Sequence, residues 1–200
     1  MKQINNRGFT LIELMITLAM TGIIVAAVYS VYTVQSRAYG KQEQIGNIQQ
    51  TLSAAVFLMT QDLRMAGFDM DSGKGFTTAK AQEFTFERDD SAETITYKFN
   101  RPQLTRNSGG GDQTLADNIE AVEFLYTLAD GTSTTAPTAL KKIRAVTVSV
   151  LGIADKPDAS FTNQTAYLPG SNDATFAPAA NDHYRRRMLI TTINCRNMGL

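Results

Sequence analysis

Apolar residues crowd one end of this chain and recur periodically over the rest. Between Leu11 and Val34, 18 of 24 residues are apolar, and none of the 23 from Leu14 to Ser36 is charged. As a helix rising about 1.5 Å per residue this run is about 35 Å long, enough to cross a hydrocarbon core of about 30 Å. Beyond Ser36 the chain becomes polar but keeps a helical period. Ile45, Ile48, Leu52, Ala55, Met59, Leu63 and Ala66 recur at steps of three and four and predict one apolar stripe. The stripe lasts about three heptads and carries alanine twice, which favours packing on the chain's own domain over a coiled coil. Gly40 and Gly46 weaken the helix without ending it, and Arg64 followed by Gly67 supplies a stop. The predicted helix runs from about residue 9 to 66, close to 90 Å.

After Gly67 the period changes to two. Glu83–Arg88 and Glu93–Asn100 alternate, with Phe84 and Phe86, then Ile95, Tyr97 and Phe99, on one face. Asp89 to Ala92 supplies the turn of a hairpin. Ile119–Leu128, Lys142–Leu151 and Met188–Cys195 read as three further strands. Polar stretches separate them: a flexible turn at Asn107–Asp112, a threonine-rich loop at Asp130–Pro137, and a long segment from Asp155 to Asp182. A loop of that length is usually functional or disordered, and contact with neighbouring subunits is its expected role. A helix followed by mainly antiparallel strands makes the fold class α+β.

Composition narrows the function. The 19 basic and 19 acidic residues cancel, which gives no electrostatic footprint for nucleic acid. Cys195 is the single cysteine, expected as a small apolar residue on a strand, and the single histidine, His183, shares no motif with it. Asn172-Asp173 and Asn181-Asp182 offer oxygen ligands, but their spacing matches no calcium loop. Asn163-Gln164-Thr165 fits a glycosylation sequon by chance. No phosphate loop, zinc motif or nucleophile elbow occurs. The expectation is a protein that is not an enzyme, with no cofactor and no metal.

The start of the chain holds the strongest candidate chemistry. Glu13 lies just inside the apolar run, where a carboxylate costs about 2.5–3.5 kcal/mol on insertion scales and calls for a partner. Met1 to Arg7 carries Lys2 and Arg7 and no acid, which keeps that end cytoplasmic. An ordinary secretory signal has a shorter apolar region and a small-residue cleavage site. Here the run is longer, contains Glu13 and continues as helix.

Gly8-Phe9-Thr10-Leu11-Ile12-Glu13-Leu14 resembles the prepilin processing motif of type IV pilins and type II secretion pseudopilins. The resemblance implies cleavage between Gly8 and Phe9 by a membrane peptidase on the cytoplasmic side, and N-methylation of Phe9 by the same enzyme. It also implies that Glu13 pairs with the new amine of an adjacent subunit and sets axial register in a filament. Snorkelling of Glu13 to the headgroups begins from the same place and is the alternative. Many major pilins have a kinking proline where this chain has Ser30, so the anchor is expected to be straighter, with Gly22 as its weak point.

A second stretch, Tyr184 to Asn194 followed by Arg196-Asn197, resembles the closing segment of PilW-type minor pilins and of J-type pseudopilins. With Gln61 to Phe68 it favours the PilW branch. Arg185 to Arg187 are read as the solvated start of a strand and not as a DNA patch. The resemblance implies a leader at 1–8, a membrane-spanning and assembly segment at 9–36, an amphipathic helix at 37–67 and a β-rich periplasmic or extracellular domain at 68–200. Implied partners are other pilins and minor pilins, the prepilin peptidase/methyltransferase and an inner-membrane assembly platform. The implied location is the bacterial inner membrane, single pass, then the pilus or cell surface. A type II secretion pseudopilin is the closest alternative. A membrane-anchored binding module and a secreted enzyme behind an ordinary signal are the alternatives from other classes.

Overall fold

The computed structural model describes residues 8–68, 75–87, 93–177 and 181–198. The chain forms two compact units, Met1–Glu43 and Gln44–Leu200. The element common to both is α1, Leu11–Met65, whose observed ends fall within two residues of those expected. It contains no proline, and Gly22, Gly40 and Gly46 are all helical. Its start is capped by Thr10, described below. At its end Gly67 adopts φ +75°, the left-handed closing conformation that glycine reaches without strain. Asn197 Nδ2 donates to the Arg64 carbonyl at 3.1 Å, so a side chain from the far end of the chain serves one of the orphan carbonyls of the last turn.

In the first unit the helix buries no apolar side chain: Leu11, Ile16, Leu18, Ile23, Val28 and Tyr32 are all more than half exposed. This helix is long and apolar enough to cross a membrane. Its threonines are satisfied within it. Thr17 Oγ1 donates to the Glu13 carbonyl at 2.9 Å, Thr21 Oγ1 to Thr17 at 2.7 Å and Thr33 Oγ1 to Ser30 at 2.9 Å. Such back-bonding is what a hydroxyl needs where no water is present.

The second unit contains the rest of α1 and two antiparallel sheets. The first sheet is a meander of β1 (Phe76–Ala79), β2 (Glu83–Glu87), β3 (Thr94–Asn100), β4 (Gln103–Asn107) and β5 (Asp112–Ala116), in that order. The second comprises β6 (Ile119–Leu128), β7 (Ser133–Thr134), β8 (Ile143–Ile153) and β9 (Arg186–Asn194), ordered β7-β6-β8-β9. The expected pairing of β2 with β3 is present, with Phe84 opposite Tyr97 and Phe86 opposite Ile95. The turn expected at Asp89 to Ala92 lies outside the described residues. β1, β4, β5 and the two-residue β7 were not expected. The 107–112 turn joins β4 to β5 and is tied by Asn107 Nδ2 donating to Asp112 Oδ1 at 2.8 Å.

One core unites these parts. The stripe residues Ile48, Leu52, Ala55, Met59, Leu63 and Ala66 are buried with Phe84, Phe86, Ile95 and Tyr97 of the first sheet and Val122, Phe124, Tyr126, Val146, Val148 and Val150 of the second. Burying each large aliphatic or aromatic side chain contributes about 1.5–3 kcal/mol. Phe84 meets Phe124 edge-on at 4.7 Å between ring centres, which joins the sheets. The helix approaches β8 closely at Gly152, where an added Cβ would lie 2.6 Å from Ile48 Cγ2 and 3.4 Å from Leu52 Cδ2. Ile48 is β-branched and stiff in a helix. Gly152→Ala should therefore destabilise the domain by about 1–3 kcal/mol, measured as a fall in the urea midpoint with an unchanged slope.

Residues 155–177 form an ordered cover, and its fastening is visible. Gly170 N donates to Ser149 Oγ at 2.9 Å, and Ser171 Oγ to Glu123 Oε2 at 2.7 Å. Tyr167 and Phe176 pack with Ala121, Leu151, Ala177 and Met188 in a second apolar cluster. The buried polar residues Ser149 and Glu123 are thus explained by the cover; of the expected 155–182 segment, residues 178–180 lie outside the described residues.

Candidate processing and assembly site

Gly8 and Phe9 precede the helix, outside regular secondary structure and exposed, and Phe9 is 90% exposed. Among the described residues, apart from its chain neighbour, nothing lies within 4 Å of a Cβ built on Gly8. The backbone between them is therefore sterically open. Arg7 and Lys2 lie outside the described residues.

Thr10 and Glu13 form a reciprocal cap. Thr10 N and Thr10 Oγ1 each donate to Glu13 Oε2 at 2.9 Å, and Glu13 N donates to Thr10 Oγ1 at 3.3 Å. This is the Thr-x-x-Glu capping box, which serves orphan donors at the first turn. The sequence reading missed it, although a threonine three residues before a glutamate at a helix start is its usual signature. Glu13 therefore has a partner within its own chain before any other subunit is considered. An amine released at Phe9 would adjoin the Thr10 N–H that already holds this carboxylate.

The other candidates are structural. Cys195 is 3% exposed and follows β9 directly, and burial pushes its thiol up to about 12. His183 lies exposed beside the Phe161 carbonyl, beyond the other end of β9, about 30 Å away at about 3.3 Å per residue. They make no catalytic pair. At pH 8 a thiol so shifted is about one ten-thousandth ionised. Maleimide labelling should therefore be slow in the folded protein and become rapid in denaturant.

Asp173 accepts from Thr175 N and Oγ1 at 2.8 and 2.7 Å, forming a local turn. Asp182 is held by Arg186 at 2.6 and 2.7 Å, which keeps its carboxyl below the usual range. Among the described residues no three metal-ligating side chains converge. Asn163 of the sequon is 1% exposed.

The arginine reading needs correction. Arg186 is not solvated: its side chain is 4% exposed and bonds Glu120 as well as Asp182. Arg185 donates to Asp158 at 2.8 Å and stacks over Phe161 at 4.3 Å. Arg185 thus anchors the cover next to β9, whereas Arg186 ties the start of β9 to β6 and to Asp182, and the strand begins at Arg186, two residues earlier than expected. Of the three, Arg187 alone is exposed.

Asp62, a stripe-face acid not singled out in the sequence, is 6% exposed. It accepts from Tyr97 OH at 2.6 Å and from Arg106 Nε at 2.7 Å. Burial, then the Asp62 bond, raises the Tyr97 phenol well above its ordinary value.

Residues 4–29 match the family described as the prokaryotic N-terminal methylation motif. Among solved structures, a type IV-like pilin from Thermus thermophilus matches at a TM-score of 0.56 and 15% identity, covering 76% of this chain and 97% of that one. No curated protein sequence matches the chain significantly. The chain carries an N-terminal methylation motif on an apolar helix and has a type IV pilin-like fold, a long helix packed on antiparallel sheets.

Proposed function

We propose that this chain is a minor type IV pilin of the PilW type, which joins or primes a pilus after cleavage between Gly8 and Phe9 and N-methylation of Phe9. The observation that carries this reading is the run of exposed apolar side chains that begins within the motif, at Phe9 and Leu11, and continues through the first unit. An apolar helix without an internal partner must be covered, first by lipid and then by like helices. In this reading the leader stays cytoplasmic, the inner membrane holds the first unit, and the second unit lies beyond the membrane. Extraction into a filament replaces lipid contacts with helix contacts. The Glu13 carboxylate then exchanges its Thr10 cap for the Phe9 amine of a neighbouring subunit. The role is structural, with no reaction catalysed.

Type II secretion pseudopilins form the second reading, kept open because the prepilin motif and the Tyr184 to Asn194 stretch resemble both groups. Mass spectrometry of the mature N-terminus tests what the two share. The expected product lacks eight residues and begins with methylated Phe9. An intact Met1 on membrane-bound protein would refute it. Deleting the gene then separates the readings: loss of surface pili supports the first, loss of protein secretion the second.

A further inference from the structure

The outer edge of β9 is open. Bonds from Cys195 N to the Arg144 carbonyl and from Ala154 N to the Arg185 carbonyl bracket the β8–β9 ladder. They establish that odd-numbered β9 residues bond to β8. The alternation of an antiparallel pair then turns the N–H and C=O groups of Met188, Ile190 and Thr192 away from the sheet. No described residue pairs with them.

The other ends of the two sheets are blunted. β1 has four residues and an irregular register, β5 has five and a register shift, and β7 has two. β9 has nine residues, no proline and an unbroken register with β8. Soluble proteins usually shorten, kink or charge such an edge. Here Met188 to Ile193 is uncharged and Ile190 is 47% exposed.

Charge is confined to the two ends. Arg187 and Arg196 are exposed, and neither pairs with an acid among the described residues. Alongside runs a cleft of about 180 Å³ bounded by Gln49, Leu52 and Ser53 of α1 and by Arg187, Met188 and Leu189 of β9. A strand laid on the edge would direct alternate side chains into this cleft.

We propose that β9 is a strand-addition site for an extended segment of another protein, with small or β-branched side chains at alternate positions and an acid near each end. Main-chain bonds to Met188, Ile190 and Thr192 supply affinity, the cleft selects side-chain size, and Arg187 and Arg196 select charge and register.

The test uses the full chain in detergent micelles and a synthetic peptide of about nine residues, alternating valine and threonine with glutamate at both ends. Saturating peptide should slow amide exchange at Met188, Ile190 and Thr192 by about tenfold or more. Leu189, Thr191 and Ile193, already bonded to β8, should change little. The same peptide ending in lysines should bind about tenfold more weakly. Ile190→Pro removes one outward donor and no bond to β8, so it should abolish binding while the protein stays folded.

Absence of slowing at the three amides, equal binding of the lysine peptide, or full binding by folded Ile190→Pro would each overturn the proposal. Slowing that grows with protein concentration in the absence of peptide would assign the edge to a second copy, and overturn it too. If Ile190→Pro does not fold, the alternating pattern in the unsubstituted chain and the charge comparison decide alone.

Discussion

Glu13→Ala should leave the protein inserted and cut after Gly8, yet lower its recovery in sheared filaments. A charge-assisted bond contributes about 1.5–3 kcal/mol, which corresponds to a loss of about tenfold to a hundredfold. The capping box makes a sharper experiment available. Glu13→Gln keeps the acceptor that Thr10 N and Oγ1 use but removes the charge, because glutamine also serves in this motif. Thr10→Val removes the hydroxyl and keeps the charge, at a cost of about 0.5–2 kcal/mol to the helix start. If the charge pairs with a neighbouring amine, Glu13→Gln should fail as Glu13→Ala does, and Thr10→Val should assemble. Immunoblots of sheared and cell-bound fractions read the ratio directly. Normal assembly of Glu13→Gln would leave the carboxylate only its capping role.

The largest loss of stability is expected from Asp62→Ala. It leaves Arg106, whose side chain is 16% exposed, without its carboxylate, and the buried Tyr97 phenol without its acceptor. Removing one member of a buried pair costs about 3–5 kcal/mol, a large part of the 5–15 kcal/mol that holds a typical domain folded. Asp62→Leu combined with Arg106→Met should recover most of that loss, because no charge is then left unpaired. Tyr97→Phe alone should cost about 1 kcal/mol. Urea unfolding of the full chain in mild detergent can be followed by tyrosine emission, since the chain has seven tyrosines and no tryptophan. A loss below about 1 kcal/mol for Asp62→Ala would show that water reaches the network and replaces the carboxylate.

Asp62 also shows where sequence reading stopped short. It sits seven residues after Ala55 and three after Met59, on the buried face of the stripe. That placement is a signal that the sequence offered and that was passed over: an acid on a buried stripe needs a partner. The partners could not be named, because Tyr97 and Arg106 lie 35 and 44 residues further on. Arg186 was misread for the same reason: its acids are Asp182, four residues away, and Glu120, 66 residues away. Charge patterning along the chain does not report a pair closed across a sheet.

The strands divide in a similar way. β2, β3, β6, β8 and β9 were legible because each carries several branched or aromatic residues at regular spacing. β4 and β5, Gln-Leu-Thr-Arg-Asn and Asp-Gln-Thr-Leu-Ala, have few apolar positions and are held by their ladders. Their strand character comes from pairing and not from an intrinsic pattern.

The linear order of residues contained the long helix, its apolar start, the processing motif and the α+β class. Each is a property of contiguous residues: a period of 3.6, a run of membrane length, a short motif read in order. Folding added the network around Asp62, the fastened cover on the second sheet and the open edge of β9. Each of these needs groups that the chain brings together across tens of residues, and a backbone edge is free or filled only when its neighbours in space are known.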